Sequence, residues 1–120
     1  MEEKKYRHIY LYKKYFTDLF DKQSDKVKDK IIWTFRIVET MRIVPVAYLK
    51  KIEDTDGLFE IRVLFGSDIY RIFCFFDSDA LVVVENGFHK KTQKTPKQEI
   101  ETALRIKKEY ETEKNNKYGK

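Results

Sequence analysis

The fold is decided by residues 58–88, which read LFEIRVLFGSDIYRIFCFFDSDALVVVENGF. Within this stretch, residues 58–65, 69–76 and 80–88 form three segments in which apolar and polar positions alternate or run apolar throughout. A period of two is typical of β-strands, because successive side chains point to opposite faces of a sheet. The connecting tripeptides Gly-Ser-Asp and Asp-Ser-Asp are turn formers, and such short connections favour antiparallel pairing. The stretch therefore predicts a three-stranded antiparallel meander.

The alternation also assigns polar side chains to faces of the sheet. Every second residue from Phe59 to Phe65 is apolar, which predicts one side that packs against helices, while Glu60 and Arg62 occupy the other side. Arg71 lies among apolar residues in the next strand, where a cation needs a partner. Pairing across the intervening turn can bring Arg71 near Glu60 or Arg62, and the register stays open because the turn type is not defined by the sequence.

Upstream of the meander, the patterns predict one strand and two helices. Residues 6–12 are rich in aromatic and β-branched side chains and predict the strand. Residues 13–22 predict the first helix, and the second begins after Ser24 as its N-cap and ends at Val44-Pro45, because proline disfavours a helical conformation in the residue before it. The predicted core stripe of the second helix consists of Val27, Ile31, Phe35 and Val38.

Downstream of the meander, the sequence predicts a C-terminal helix. Thr95 is its predicted N-cap, in a capping box with Pro96 at the first helical position. The helix is expected to end near Tyr110, and the charged residues 111–120 predict a frayed tail. Together these patterns predict an α+β fold in a single domain over residues 1–110.

The composition limits the classes of protein to which this chain can belong. The 120 residues carry a formal net charge of +5, which favours polyanionic partners. No apolar run is long enough to cross a bilayer, so no membrane association is expected, and the single cysteine, Cys74, suits a reducing cytoplasm. One cysteine and two separated histidines do not make a typical zinc site, and no glycine-rich phosphate loop is present in the sequence. The sequence therefore predicts no metal and no cofactor.

A basic segment at residues 86–96, NGFHKKTQKTP, links the last strand to the last helix. It holds three lysines, Lys90, Lys91 and Lys94, next to His89. Such a segment suits phosphate binding, whereas a solvated charged loop is the ordinary interpretation of the lysines alone.

Three blocks, residues 58–63 (LFEIRV), 70–76 (YRIFCFF) and 86–96, occur in an order that resembles the signature of RelE/ParE-superfamily toxins. The resemblance is to the HigB-like branch, often labelled phage-derived, and it extends over residues 58–104. It implies a RelE-like fold, with an N-terminal strand and two helices packed on a mainly antiparallel sheet and a C-terminal helix. It also implies a cytoplasmic toxin of a type II toxin–antitoxin system that cleaves mRNA on the ribosome, and a HigA-like helix-turn-helix antitoxin as its partner.

Metal-independent RNA cleavage by the ribose 2′-hydroxyl needs a base, an acid and stabilisation of charge on the phosphate. Arginine stays protonated and offers a fork of donors, so Arg62 and Arg71 suit charge stabilisation. The acid and the base are left open among chemically redundant candidates. These candidates are Glu60, His89, Lys90 and Lys91, and additional RNA contacts are expected from Lys50, Lys51, Lys94 and Phe88.

Other interpretations stay open from the sequence. Glu60 and Arg62 could form only a same-face ion pair of little energetic value, and His89 could be a surface histidine. The same fold also serves ParE-like proteins, which inhibit DNA gyrase by binding it without cleaving RNA. A toxin-like protein that binds partners and performs no chemistry is the third alternative.

Overall fold

The computed structural model of the protein describes residues 4–90 and 96–117. Within them, five strands form one sheet in the order β1-β5-β4-β3-β2, accompanied by three helices. The predicted α+β fold is thereby confirmed. In chain order the elements are β1 (His8–Leu11), α1 (Tyr15–Phe20), α2 (Asp25–Thr40), β2 (Leu49–Lys51), β3 (Phe59–Phe65), β4 (Asp68–Ser78), β5 (Leu81–Lys90) and α3 (Lys97–Lys117).

The predicted meander is confirmed as β3, β4 and β5, which pair antiparallel. β1 pairs with β5 in parallel, so the sheet is mainly antiparallel, as expected. The sequence patterns did not predict β2, a three-residue edge strand that pairs antiparallel with β3 and places Lys50 opposite Glu60. No helix in the described part of the chain is long and apolar enough to cross a membrane.

Helices cover both faces of the sheet. α1 and α2 pack on one face, here called the α2 face, whose core includes Ile61, Val63 and Ile72. α3 packs on the other, here called the α3 face, where Ala103 contacts the cluster around Phe73. β-strands buried on both sides need apolar residues at successive positions, which accounts for the continuous apolar run of β4.

The start of α2 follows the prediction and its end does not. The Ser24 hydroxyl accepts a hydrogen bond from the Val27 N–H at 3.3 Å, which confirms the N-cap. The helix ends at Thr40, before the predicted boundary at Pro45, and Met41 already has extended backbone angles. The Arg7 guanidinium donates to the carbonyl oxygens of the last turn and the cap, including Val38 at 2.9 Å and Met41 at 2.7 Å. The end of α2 is therefore held by a residue far away in the sequence.

α3 continues past the predicted end near Tyr110 to Lys117, so the tail predicted over residues 111–120 is helical over 111–117. The extra turns have partners on the sheet. The Tyr12 hydroxyl donates to Glu113 at 2.6 Å, and Lys114 pairs with Asp77 at 2.6 Å. Residues 118–120 and the predicted N-cap Thr95 lie outside the described residues.

A β-bulge changes the alternation of β5. Ile72 pairs with Gly87 and Cys74 pairs with Val84, so two residues of β5, Glu85 and Asn86, lie opposite the single residue between them on β4. A bulge inserts one residue and reverses which face the following side chains occupy. As a result, Phe88 and Lys90 point to the α3 face and His89 points to the α2 face, as their β4 partners Arg71, Ile69 and Tyr70 show.

Candidate functional site

Four cations and one carboxylate converge on the α3 face, in a group here called the cationic cluster: Lys50, Glu60, Arg62, Arg71 and Lys90. The register of the sheet produces it, because Arg62 lies directly opposite Arg71, and Lys50 directly opposite Glu60. Lys90 enters from β5 beside Arg71. With four positive charges and one negative charge, the cluster is suited to an anion.

Arg71 is the centre of the cationic cluster. Its side chain is only 3% exposed, and its Nε lies 3.0 Å from Oε2 of Glu60, which is 8% exposed. Burial lowers the pKa of Arg71, and Arg62 lowers it further, while Glu60 opposes them by raising it. An arginine keeps its charge even so. Among the described residues, the buried Nη1 and Nε of Arg71 and Oε2 of Glu60 have no hydrogen-bond partner, so the two side chains lie close as an ion pair and the guanidinium keeps unsatisfied donors.

Lys90 carries an ammonium group whose acidity is increased by its surroundings. Partial burial lowers the pKa of its ammonium, and the neighbouring charges of Arg71, Arg62 and Lys50 lower it further, against the opposing effect of Glu60. A lysine with a lowered pKa loses its proton more readily than a free lysine, and this is how lysines become acids or bases near neutral pH.

Phe88 adds an aromatic ring to the same face. It lies opposite Arg71 in the sheet and stacks on Phe73, with 5.7 Å between the ring centroids and 28° between the ring planes. It is only partly buried. An aromatic ring beside cationic side chains is a suitable surface for an unpaired base.

Two candidate residues from the sequence do not join the cationic cluster. The ring of His89 stacks on Tyr70 at 4.7 Å, and its Nε2 lies 3.0 Å from Oδ1 of Asp68, on the α2 face of the sheet. Lys51 pairs with Phe59 and so alternates away from Lys50. The structure therefore does not bring the candidate acid or base His89 together with the arginines, because the bulge in β5 turns its side chain to the α2 face. Lys91 and Lys94 lie outside the described residues.

The sequence patterns did not identify Glu85 as a residue of interest. Glu85, in the bulge, is completely buried beneath α3, and neither carboxylate oxygen has a hydrogen-bond partner among the described residues. Burial raises its pKa to about 8, partly offset by Lys107 and reinforced by Glu111. The available signal was an acidic residue directly after the apolar run Leu-Val-Val-Val, where an exposed side chain is not expected.

The fold and the cationic cluster define a small α+β protein with a positively charged group on one face of its sheet. A family model described as phage-derived protein Gp49-like (DUF891) matches residues 18–108, which is most of the chain. The protein belongs to this family, which is associated with RelE-like toxins. No match was found among curated proteins. The matched segment runs from α1 into α3 and contains every residue of the cationic cluster.

Proposed function

We propose that the protein is the toxin of a type II toxin–antitoxin system, of the HigB-like branch of the RelE/ParE superfamily, and that it cleaves mRNA on the ribosome. The observation that carries the proposal is Arg71, a buried cation in a group of net positive charge, whose Nη1 donor has no hydrogen-bond partner in the described part of the chain. Membership of a family associated with RelE-like toxins supports the same function. A HigA-like antitoxin is the expected protein partner.

The chemistry is a transesterification at one phosphodiester. The ribose 2′-oxygen attacks the adjacent phosphorus and forms a new P–O bond, the bond to the 5′-oxygen breaks, and a 2′,3′-cyclic phosphate is left. The 2′-hydroxyl proton goes to a base and the leaving 5′-oxygen receives a proton. Arg71 and Arg62 stabilise the negative charge that grows on the phosphoryl oxygens. No cofactor takes part in the steps assigned to these residues.

Lys90 is the proton-transfer residue in this proposal, because it lies in the cationic cluster and its pKa is lowered there. Glu60 has a different role. Its carboxylate contacts Nε of Arg71 and so orients the guanidinium with Nη1 left for phosphate. Glu60 is therefore a positioning residue, and the proton passes through Lys90.

The test uses purified protein in a cell-free translation system, with cleavage of the message followed by primer extension. Lys90→Gln should lower the cleavage rate about 100-fold or more, the usual contribution of a positioned acid or base. His89→Gln is the matched control, since it is the neighbouring residue on the opposite face of the sheet, and it should leave cleavage unchanged. An active Lys90→Gln variant, or an inactive but folded His89→Gln variant, contradicts the assignment.

A second matched pair tests the RNA contacts of β2. Lys50→Gln removes a cation from the cationic cluster and should weaken cleavage at low message concentration, because it lowers attraction for the phosphate backbone. Lys51→Gln removes the same charge from the next residue, on the other side of the strand, and should have little effect. Equal losses in the two variants would mean that only total charge matters and that the cluster is not the site.

Glu60 variants separate positioning from base catalysis. Gln keeps a side-chain oxygen in the position of the carboxylate beside Nε of Arg71, so Glu60→Gln should retain much more cleavage than Glu60→Ala. If Glu60 were the base, both variants would lose cleavage equally, because neither Gln nor Ala can take up the proton. Because Glu60→Ala leaves Arg71 buried without its partner, circular dichroism must show that the variant is folded. If folded protein leaves translated messages intact and instead blocks supercoiling by gyrase, the nuclease proposal fails and the ParE-like alternative replaces it.

A further inference from the structure

One exposed apolar side chain differs from the others in its position in the sheet. Eight large apolar side chains are exposed among the described residues, and Leu64, at 50% exposure, is the one that lies on the central strands β3, β4 and β5. A single exposed leucine is normal on a protein surface, so its exposure alone indicates nothing. Its neighbours are informative, because Leu64 lies two residues after Arg62 on the same strand and therefore on the same face. An apolar side chain is thus placed next to the cationic cluster.

The register of the sheet extends this apolar position across β4. Leu64 pairs directly with Ile69, which is partly exposed, and Ile69 pairs in turn with Lys90. Neither Leu64 nor Ile69 belongs to a hydrophobic cluster of the described residues. These two side chains are here called the Leu64 surface. It lies beside the Arg62–Arg71 pair, on the side of the turn between β3 and β4.

Phe88 lies on another side of the same arginine pair. It is the β5 neighbour of Arg71, so the order across the three strands is Arg62, Arg71 and Phe88. Neighbouring strands are about 4.8 Å apart and successive side chains on one face are about 6.7 Å apart, so Phe88 and Leu64 lie about 12 Å from each other. The two apolar surfaces are therefore at opposite corners of the pair of guanidinium groups.

This separation determines which geometry of RNA fits. Neighbouring bases in a stacked strand are about 3.4 Å apart, so two bases held about 12 Å apart cannot stay stacked on each other. Attack by the 2′-oxygen needs that oxygen, the phosphorus and the leaving 5′-oxygen in line, and a regularly stacked strand does not place them so. Holding the two flanking bases on separate surfaces turns the nucleotides apart and allows the in-line arrangement at the arginines.

We propose that Leu64 is a positioning residue for RNA cleavage: its surface holds the base on one side of the scissile phosphate, while Phe88 holds the base on the other side. This role rests on the proposed function. Leucine and isoleucine side chains have no hydrogen-bonding groups, so the Leu64 surface contacts the area of a base and does not read its identity. The site therefore takes a pair of unstacked nucleotides and needs a base on each side of the bond that breaks.

The test uses ribosomes programmed with short synthetic messages, and it follows cleavage in a single turnover. Three messages are compared: the intact one and two that lack the base immediately 5′ or immediately 3′ of the cleaved bond. On the intact message, Leu64→Ala should cleave about fivefold or more slowly than the wild type, because it loses apolar contact with a base. Leu64→Phe should cleave at least as fast as the wild type, since an aromatic ring is a better surface for a base.

The two abasic messages separate positioning from a general effect on the fold. Without the base that Leu64 holds, Leu64→Ala has no contact to lose, so it should cleave that message like the wild type and should be slower on the other. Phe88→Leu, which keeps an apolar side chain beside the cluster of Phe73, should show the opposite pattern. Leu11→Ala is the matched control, because it makes the same change at an exposed site on β1, and it should cleave all three messages like the wild type.

Three results would contradict this role of Leu64. Wild-type cleavage that Leu64→Ala leaves unchanged, or slows equally on all three messages, overturns the role and leaves the proposed function unaffected. If the effects of Leu64→Ala and Phe88→Leu disappear on the same abasic message, the two side chains contact one base, and the role is overturned as well. A wild-type protein that leaves every message intact refutes the proposed function together with this role. Circular dichroism confirms that each variant is folded.

Discussion

Replacing Glu85 by glutamine should change how the stability of the protein depends on pH. Glu85 is fully buried in the β5 bulge, and its pKa is raised from an ordinary value of 4.5 to about 8 by burial. Below pH 4.5 the carboxyl is protonated in both the folded and the unfolded chain. Between pH 4.5 and about 8 the unfolded chain releases this proton while the folded chain keeps it. The folded state then binds more protons, so the contribution of Glu85 to stability falls as the pH rises.

The size of the effect follows from the two pKa values. Each unit of difference corresponds to about 1.4 kcal/mol, so the full interval corresponds to roughly 5 kcal/mol of folding free energy lost between pH 4.5 and pH 8. Glutamine has nearly the same shape and no charge to desolvate. Glu85→Gln should therefore resemble the wild type near pH 5, where the buried carboxyl is neutral, and should exceed it in stability by several kcal/mol at pH 8.

Urea unfolding at pH 5, 6, 7 and 8 measures this prediction, with the fluorescence of Trp33, the single tryptophan of the chain, as the probe. The informative quantity is the difference between variant and wild type at each pH, because the other titrating groups contribute to both. Glu101→Gln, an exposed site on α3, is the control and should show a constant difference. A difference for Glu85→Gln that stays constant from pH 5 to pH 8 would refute the reasoning.

Three further substitutions test the packing that positions the site. Gly87→Ala should lower the free energy of unfolding by about 1–3 kcal/mol in urea titrations, because a Cβ there would lie 2.8 Å from Cδ2 of Leu19 and 3.0 Å from the carbonyl oxygen of Arg71. Ser24→Ala should cost about 1 kcal/mol in the same assay, since it removes the N-cap of α2, and an unchanged midpoint would contradict that role. Tyr12→Phe removes the hydroxyl that donates to Glu113, so the end of α3 should exchange its amide hydrogens faster while the helix start near Ala103 is unaffected.

The sequence was sufficient for the parts of the fold that depend on neighbouring residues. The alternation of β3 predicted that Glu60 and Arg62 share one face. Pairing across the turn predicted both as candidate neighbours of Arg71, and the structure confirms that both lie beside it. The N-cap of α2 could be predicted as well, because it depends only on residues a few positions apart in the chain. These features follow from periodicity and from the chemistry of single side chains, and both can be read directly from a sequence.

Features that depend on distant residues could not be predicted in the same way. The end of α2 is held by Arg7, more than thirty positions away in the chain. The side of the sheet on which His89 lies depends on the bulge at Glu85 and Asn86, and regular alternation from Val83 would have placed it on the other face. One inserted residue is enough to reverse every later side chain of a strand, because the period of a strand is two.

Two carboxylates, Glu60 and Glu85, are buried on the α3 face in different surroundings. Glu60 lies beside a cation, with its carboxylate 3.0 Å from Nε of Arg71, and Nη1 of that arginine has no hydrogen-bond partner among the described residues. The carboxylate oxygens of Glu85 have no hydrogen-bond partner within the described residues, and its raised pKa means that it is largely protonated at neutral pH. The neutral form of Glu85 therefore adds no negative charge to the α3 face.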